Sequence, residues 1–239
     1  MGIFTIYKPI GKTPLEAVNE LKNKDSTINK ISYAGRLDPM AEGELLVLTN
    51  EDCSKQNTYH NCDKMYEFDL LLGIETDTYD ILGMIKDNKM IDFNIEKIIK
   101  YIDKLEGTHL QSYPPYSSVR VNGKPLWHYA KTNTLATIEI PCKKITIKSI
   151  EIKNKYNISK SELLEYVNAK IELLDKAHDF RQEKIQKVWN VIKEANYPVF
   201  TIHVHVSSGT YIRELCNTIG KLFNISTLAL KIKRLQVFY

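Results

Sequence analysis

Residues 199–206 (VFTIHVHV) constrain this 239-residue chain more than any other segment. Ile202 and Val204 fall on one side of an extended backbone, and His203 and His205 fall on the other. Such a strand needs partners, because an unpaired one leaves its backbone polar groups exposed. Residues 144–152 show the same alternation of Ile and polar residues. GIFTIY (2–7), Leu45–Leu48 and 230–238 read as further strands. Residues 65–73 (MYEFDLLLG) and 81–85 (ILGMI) read as a strand pair joined by TDTYD. Helical signals interrupt these strands irregularly. Thr13-Pro14 with Glu16 is a capping-box start, with Leu15, Val18 and Leu21 as its apolar face. Asn94 caps a run with Ile95, Ile98, Ile99, Ile102 and Leu105 inward. Leu126–Lys131 and a segment reaching about Phe223 complete the set, and Asn122-Gly123 marks a tight turn. Strands and helices in this order predict an α+β fold, with a central mixed, largely antiparallel sheet flanked by helices.

Residues 159–196 stand apart, being highly charged and free of Gly and Pro. Leu164, Val167, Ile171 and Leu174 are spaced three and four apart, and Ile185, Val188 and Ile192 resume the spacing. His178 and Arg181 interrupt the stripe. The pattern allows one long helix or a helical hairpin bent near Ala177–Asp179, ended by Pro198. Its many lysines are nearly balanced by acids, which predicts a solvated helical elaboration rather than an RNA clamp. The segment MYEFDLLLG follows a loop-like region, 31–43 (ISYAGRLDPMAEG), that holds two glycines and a proline.

With 43% hydrophobic and 26% charged residues, the chain can bury a sizeable core, which excludes wholesale disorder. The net charge of +4 permits a nucleic-acid partner without requiring one. Cys53, Cys62, Cys142 and Cys216 form no CxxC pair, and His203 and His205 lack a third ligand, so no metal site is expected. No basic run precedes a long apolar stretch at the N-terminus, and no window of about 18 apolar residues occurs. Neither a secretory signal nor a membrane span is expected, and the expected location is cytoplasmic.

Two segments offer chemistry. GRLDPMAEG (35–43) places Arg36 and Asp38 in a Gly- and Pro-rich loop leading into an apolar strand, where reactive groups are often held; the alternative is an ordinary Asp-Pro turn. In SSGTYIREL (207–215), Gly209 lets the chain turn, Thr210 can cap the next helix, and Arg213 falls in its first turn. A cation there opposes the helix dipole and favours a nearby carboxylate. Tyr66, in DKMYEF, is either a core tyrosine or one that stacks on a base.

In this order the segments resemble the tRNA pseudouridine synthase B (TruB) family. The resemblance rests on IYKPIGKTP, YAGRLDPMAEGELLVL, DKMYEF, LGIETDTYDILG, PPYSSVRVNGKPLWHYAK and SSGTYIREL, spread over roughly residues 2–235. It implies the pseudouridine synthase fold and isomerisation of uridine in RNA, with tRNA and its T-loop as the first expectation. The same chemistry on another RNA, or RNA binding without catalysis, are the alternatives. Asp38 would be the catalytic carboxylate, Arg213 its ion-pair partner, and Tyr66 the residue stacked on uracil. Lys8, Pro9, Tyr33, Gly35, Arg36, Tyr211 and Lys124 would bind substrate, with Lys131 a further phosphate contact. The chemistry needs no cofactor, and neither GxGxxG nor GxxxxGK[ST] occurs.

Four departures from the family pattern stand out. GRLD with Arg36, followed by LLVLTNED, is closer to the ribosomal and other branches of the same superfamily, which keeps the RNA substrate open. Tyr33 replaces a usual His. Residues 155–197 are a helical insertion. The chain stops soon after the last strand, so residues 1–239 are expected to be one catalytic domain, a short form without the C-terminal PUA module. A monomer is expected.

Overall fold

The computed structural model describes residues 2–88 and 94–239. The chain opens with β1 (Ile3–Lys8) and α1 (Pro14–Lys24). In α1 the capping box is present: Thr13 Oγ1 accepts from the Glu16 N–H, and the Glu16 carboxylate accepts from the Thr13 N–H. Its buried face is Pro14, Ala17 and Val18, whereas Leu15 points to solvent. Next come β2 (Ile31–Ala34), β3 (Ala41–Thr49), the short α2 (Gln56–His60) and β4 (Asp63–Leu72). The region 31–43 is therefore not a loop throughout. Tyr33 and Ala34 pair with Val47 and Leu46, and only residues 35–40 remain irregular.

A small hairpin follows, β5 (Glu75–Thr76) with β6 (Ile85–Asp87). The expected pairing of 65–73 with 81–85 does not occur. β4 pairs instead with two strands from the C-terminal part of the chain. The apolar residues Ile81 and Leu82 form a buried turn in which the Asp80 carboxylate accepts from the Thr78 hydroxyl and the Leu82 N–H. α3 (Ile95–Ile102) is capped by Asn94 and buries Ile98 and Ile102, with Ile95 exposed. β7 (Gly107–Ser112) precedes the hairpin of β8 (Arg120–Val121) and β9 (Lys124–Pro125), turned by Asn122 and Gly123 at positive φ, and then α4 (Leu126–Lys131). The chain closes with β10 (Cys142–Ser159), α5 (Lys160–Glu172), α6 (Gln182–Trp189), β11 (Asn196–Val206), α7 (Ile212–Phe223) and β12 (Thr227–Phe238).

The main sheet has the order β1-β3-β12-β4-β11-β10-β7, with β2 beside β3. Its pairings are antiparallel except for β12 against β3, which gives the mixed, largely antiparallel sheet expected. Tyr66, Phe68, Leu70 and Leu72 of β4 share one core with Phe200, Ile202 and Val204 of β11. Ile98 and Ile102 of α3 and Ile212, Leu215 and Ile219 of α7 close it. Leu71 and Val199 face the other way and are covered by the insertion.

β10 and β11 stay paired out to Ser159 opposite Asn196, so the helical part of the insertion is the connection of one long hairpin, narrower than 155–197. It is two helices, the bent alternative. Its apolar side (Leu163, Val167, Ile171, Ile185, Trp189 and Ile192) lies buried on the second sheet face with Leu71, Val199, Leu228 and Leu230. The insertion is therefore a structural layer of the fold, because those sheet residues need a cover. Among the described residues, no helix is long and apolar enough to cross a membrane.

Candidate active site

The loop 35–40 is tied down from two sides. Arg234 of β12, 1% exposed, donates to the carbonyls of Glu44, Arg36 (3.1 Å) and Gly35 (3.2 Å). The Gly11 N–H donates to the Pro39 carbonyl at 2.9 Å, and the Ala41 N–H to the Asp38 carbonyl at 3.0 Å. A guanidinium that satisfies three carbonyls at once fixes the backbone from which Asp38 projects. Gly43 lets β3 approach β12 closely, since a Cβ there would lie 2.0 Å from the Arg234 carbonyl oxygen.

Arg213 enters from the first turn of α7. Its Nε donates to Asp38 Oδ2 at 2.7 Å, its Nη1 to the Thr78 carbonyl at 2.8 Å, and its Nη2 to the Tyr116 carbonyl at 3.4 Å. Asp80 Oδ2 lies 3.6 Å from Nε. The Arg213 side chain is 3% exposed and that of Asp38 37%, so the pair has a fixed inner member and an accessible outer one. Burial opposes the charge on Arg213, but Asp38 and Asp80 outweigh it and raise its pKa. Asp80 is pushed upward by burial, with Arg213 opposing. The fork is thus a permanent cation held ready for the Asp38 carboxylate.

A cavity of about 410 Å³ opens beside this pair. Asp38, Asp80 and Arg213 line it with Tyr116, Trp127 and Lys131, and the insertion contributes the four residues from His178 to Arg181. Arg181 forms a bidentate pair with Asp77, which also accepts from the Tyr116 hydroxyl. Burial and Asp77 push the Tyr116 phenol up to about 12, so it stays a donor at neutral pH.

Of the residues singled out in the sequence, Asp38 and Arg213 meet. Tyr66 is 7% exposed and lies in the core with Leu37 and Ile212, the neighbours of that pair, rather than on the cavity lining. The Tyr211 N–H donates to Gln111 Oε1, and its carbonyl accepts from Gln111 Nε2. Burial and the nearby Asp38 push its phenol up to about 12.

Lys8 is fully buried and donates to the Pro9 and Lys12 carbonyls, so it holds the 9–12 turn instead of reaching a phosphate. Burial lowers its pKa to about 8, with Asp38 opposing. Tyr33 packs with Ala17, Val18, Leu45 and Val47, away from the cavity. Gly35 and Arg36 offer their carbonyls to Arg234, and the Arg36 side chain is exposed. Lys124 is exposed on the β8–β9 hairpin, and Lys131 lines the cavity. Thr210 does not cap α7; its hydroxyl donates to the Ser207 carbonyl.

Asp77, Asp80, Tyr116, Arg181 and Arg234 also build the site. The segments holding Asp77, Asp80 and Tyr116 are among those that carry the family resemblance, but they give these three residues no role; Arg181 reads from sequence only as a break in an apolar stripe, and Arg234 has no local signal. His203 pairs with Glu67.

Solved structures share this α+β fold. The crystal structure of a Cbf5-Nop10-Gar1 complex superposes with a TM-score of 0.60 at 18% identity, covering 99% of this chain and 48% of that one. An H/ACA RNP bound to a substrate RNA containing 2′-deoxyuridine gives 0.56 at 17% identity, covering 99% and 47%. The model of the TruB family pseudouridylate synthase (N terminal domain) matches residues 23–173, and the chain belongs to that family. The tRNA pseudouridine synthase B of Clostridium kluyveri is 31% identical over 98% of this chain and 66% of its own length. That of Endomicrobium trichonymphae is 36% identical over 63% of this chain and 65% of its own. The chain thus spans slightly less than two thirds of the length of these curated relatives.

Proposed function

We propose that this chain isomerises a uridine to pseudouridine in RNA, and that its target is uridine 55 in the T-loop of tRNA. The observation that supports this best is the accessible Asp38 carboxylate on the buried Arg213 fork, at the edge of a cavity with room for an extruded base. The relatives' names supply the tRNA part of the reading.

The reaction breaks the N1–C1′ glycosidic bond, turns the uracil, joins C5 to C1′ and releases the C5 proton. Electrons balance within the substrate, so neither a redox partner nor an activated phosphate enters. Extruding the base costs a few kcal/mol, which contacts in the cavity must return. Asp38 acts as the carboxylate at C1′, as nucleophile or as electrostatic support for cleavage. Arg213 Nε holds one of its oxygens and so aims it. Tyr66, buried in the core that also holds Leu37 and Ile212, is the residue that the family resemblance gives to the uracil face. Lys131, which donates to the Asp179 carbonyl and lies over the Trp127 ring at the cavity, is the candidate phosphate contact. Residues 1–239 act as one catalytic unit, with the insertion part of it.

Asp38→Asn keeps the shape and an acceptor for Arg213 but removes the ionised oxygen. Tritium release from C5-labelled uridine in an unmodified tRNA transcript should fall below detection, with RNA affinity unchanged. Near-normal release by Asp38→Asn, or none by the wild type on any tRNA, would remove this assignment.

A further inference from the structure

Arg181 belongs to the insertion and lies outside the motifs that carry the family resemblance. It sits at the start of α6 with φ +66, a left-handed conformation uncommon for an arginine. From there its guanidinium grips Asp77 with both nitrogens, Nη1 to Oδ2 at 2.6 Å and Nη2 to Oδ1 at 3.1 Å. The same group lies 4.8 Å from the centroid of the Tyr116 ring. Tyr116 in turn donates its hydroxyl to Asp77 Oδ2 at 2.9 Å, and Asp77 Oδ1 accepts from the Met84 N–H at 2.8 Å. Asp77 is thus the hub of a network joining the insertion, the 77–84 turn and the segment before α4.

That network stands directly behind the catalytic pair. Two of the three groups that accept hydrogen bonds from Arg213 are the carbonyls of Thr78 and Tyr116. Thr78 follows Asp77 in the chain, and Tyr116 is itself in the grip of Arg181. Fixing Asp77 and Tyr116 therefore fixes the acceptors that orient Arg213, and through it Asp38.

The loop bearing Arg181 is moored elsewhere as well. Lys131 donates to the Asp179 carbonyl at 3.2 Å, and His178 meets Glu16 at 3.4 Å. Leu173 packs so closely on Gly11 that a Cβ at Gly11 would lie 2.4 Å from its carbonyl oxygen. A left-handed arginine persists only where its surroundings over-determine it, and these contacts do so.

We infer that Arg181 is a positioning residue for the Arg213–Asp38 pair, so that the helical insertion completes the catalytic centre of the isomerase proposed above. The planar fork is essential to this role, since a lysine cannot grip both oxygens of Asp77 and cover the Tyr116 ring together. Loosening the Thr78 and Tyr116 carbonyls would let Asp38 drift from C1′, and a displacement of about 1 Å costs on the order of a hundredfold in rate.

The test measures single-turnover rate at saturating tRNA transcript, RNA Kd and its salt dependence, and melting temperature. The proteins are wild type, Arg181→Lys, Arg181→Ala, Asp77→Asn and the Arg181→Ala/Asp77→Asn double variant. Each single variant should lose roughly tenfold to a hundredfold in rate with Kd unchanged. The double variant should be no slower than the slower single, because both remove one network. Should Arg181→Ala fail to fold, Arg181→Lys and Asp77→Asn give the same reading. An unchanged rate in Arg181→Lys and Asp77→Asn overturns the inference. So does a loss confined to Kd with a shallower salt dependence, which would make Arg181 a phosphate ligand. A wild type inactive on every tRNA overturns the isomerase reading and this inference with it, whereas an active wild type with unaffected variants overturns this inference alone.

Discussion

Two buried guanidinium groups organise the candidate site, and each reaches far along the sequence. Arg213 meets Asp38 across 175 residues, and Arg234 reaches Glu44 across 190. Arg213 could be suspected locally, since a cation in the first turn of a helix calls for a carboxylate. Nothing local marks Arg234, which sits in a strand. Its role depends on one rigid fork meeting three carbonyls. Arg234→Lys should therefore lower stability by about 2 kcal/mol, since a single ammonium leaves buried carbonyls without partners. Urea denaturation checks the stability, and turnover should fall as well, because the 35–40 loop loses its mooring.

Helices and tight turns were the readable elements. Thr13 with Glu16, Asn94 before its helix, and Asn122-Gly123 all act through neighbours a few residues away, so the sequence displays them directly. Strand pairing was less readable: ILGMI has a strand's composition, but Asp80 folds it into a turn, and β4 finds its partners at β11 and β12. In the insertion the helical spacing was right and the face was offset, since Leu163 is fully buried and Leu164 only partly so. The largest side chain there, Trp189, has no exposed surface and donates its Nε1–H to the Gly83 carbonyl at 3.1 Å. Trp189→Ala should cost about 3–5 kcal/mol, against about 1 kcal/mol for Thr13→Ala, which removes only a cap. Urea midpoints of the two variants test this ranking.

At the scale of the whole molecule, two buried lysines give stability a distinctive pH dependence. Burial lowers both Lys8 and Lys64 from their ordinary 10.5 to about 8, aided for Lys64 by Arg234. Below pH 8 folded and unfolded chains are both protonated, and the cost of burying two ammonium groups is fully present. Between about 8 and 10.5 the unfolded chain keeps protons that the folded chain has released, so stability rises with pH. Above pH 9 the buried Cys216 thiol, pushed upward by burial, works in the opposite sense. The urea midpoint should therefore climb from pH 8 to about pH 9, and Lys64→Met should flatten that climb. A flat wild-type profile would contradict it. By itself the sequence determined the fold class, most helix starts and the family resemblance, because periodicity, caps and ordered motifs are encoded by near neighbours. Only the tertiary structure decided that Arg181 meets Asp77, that Arg234 moors the 35–40 loop, that Lys8 is buried, and that the insertion covers a sheet face. Those outcomes depend on long-range packing, which brings together groups that no local pattern connects.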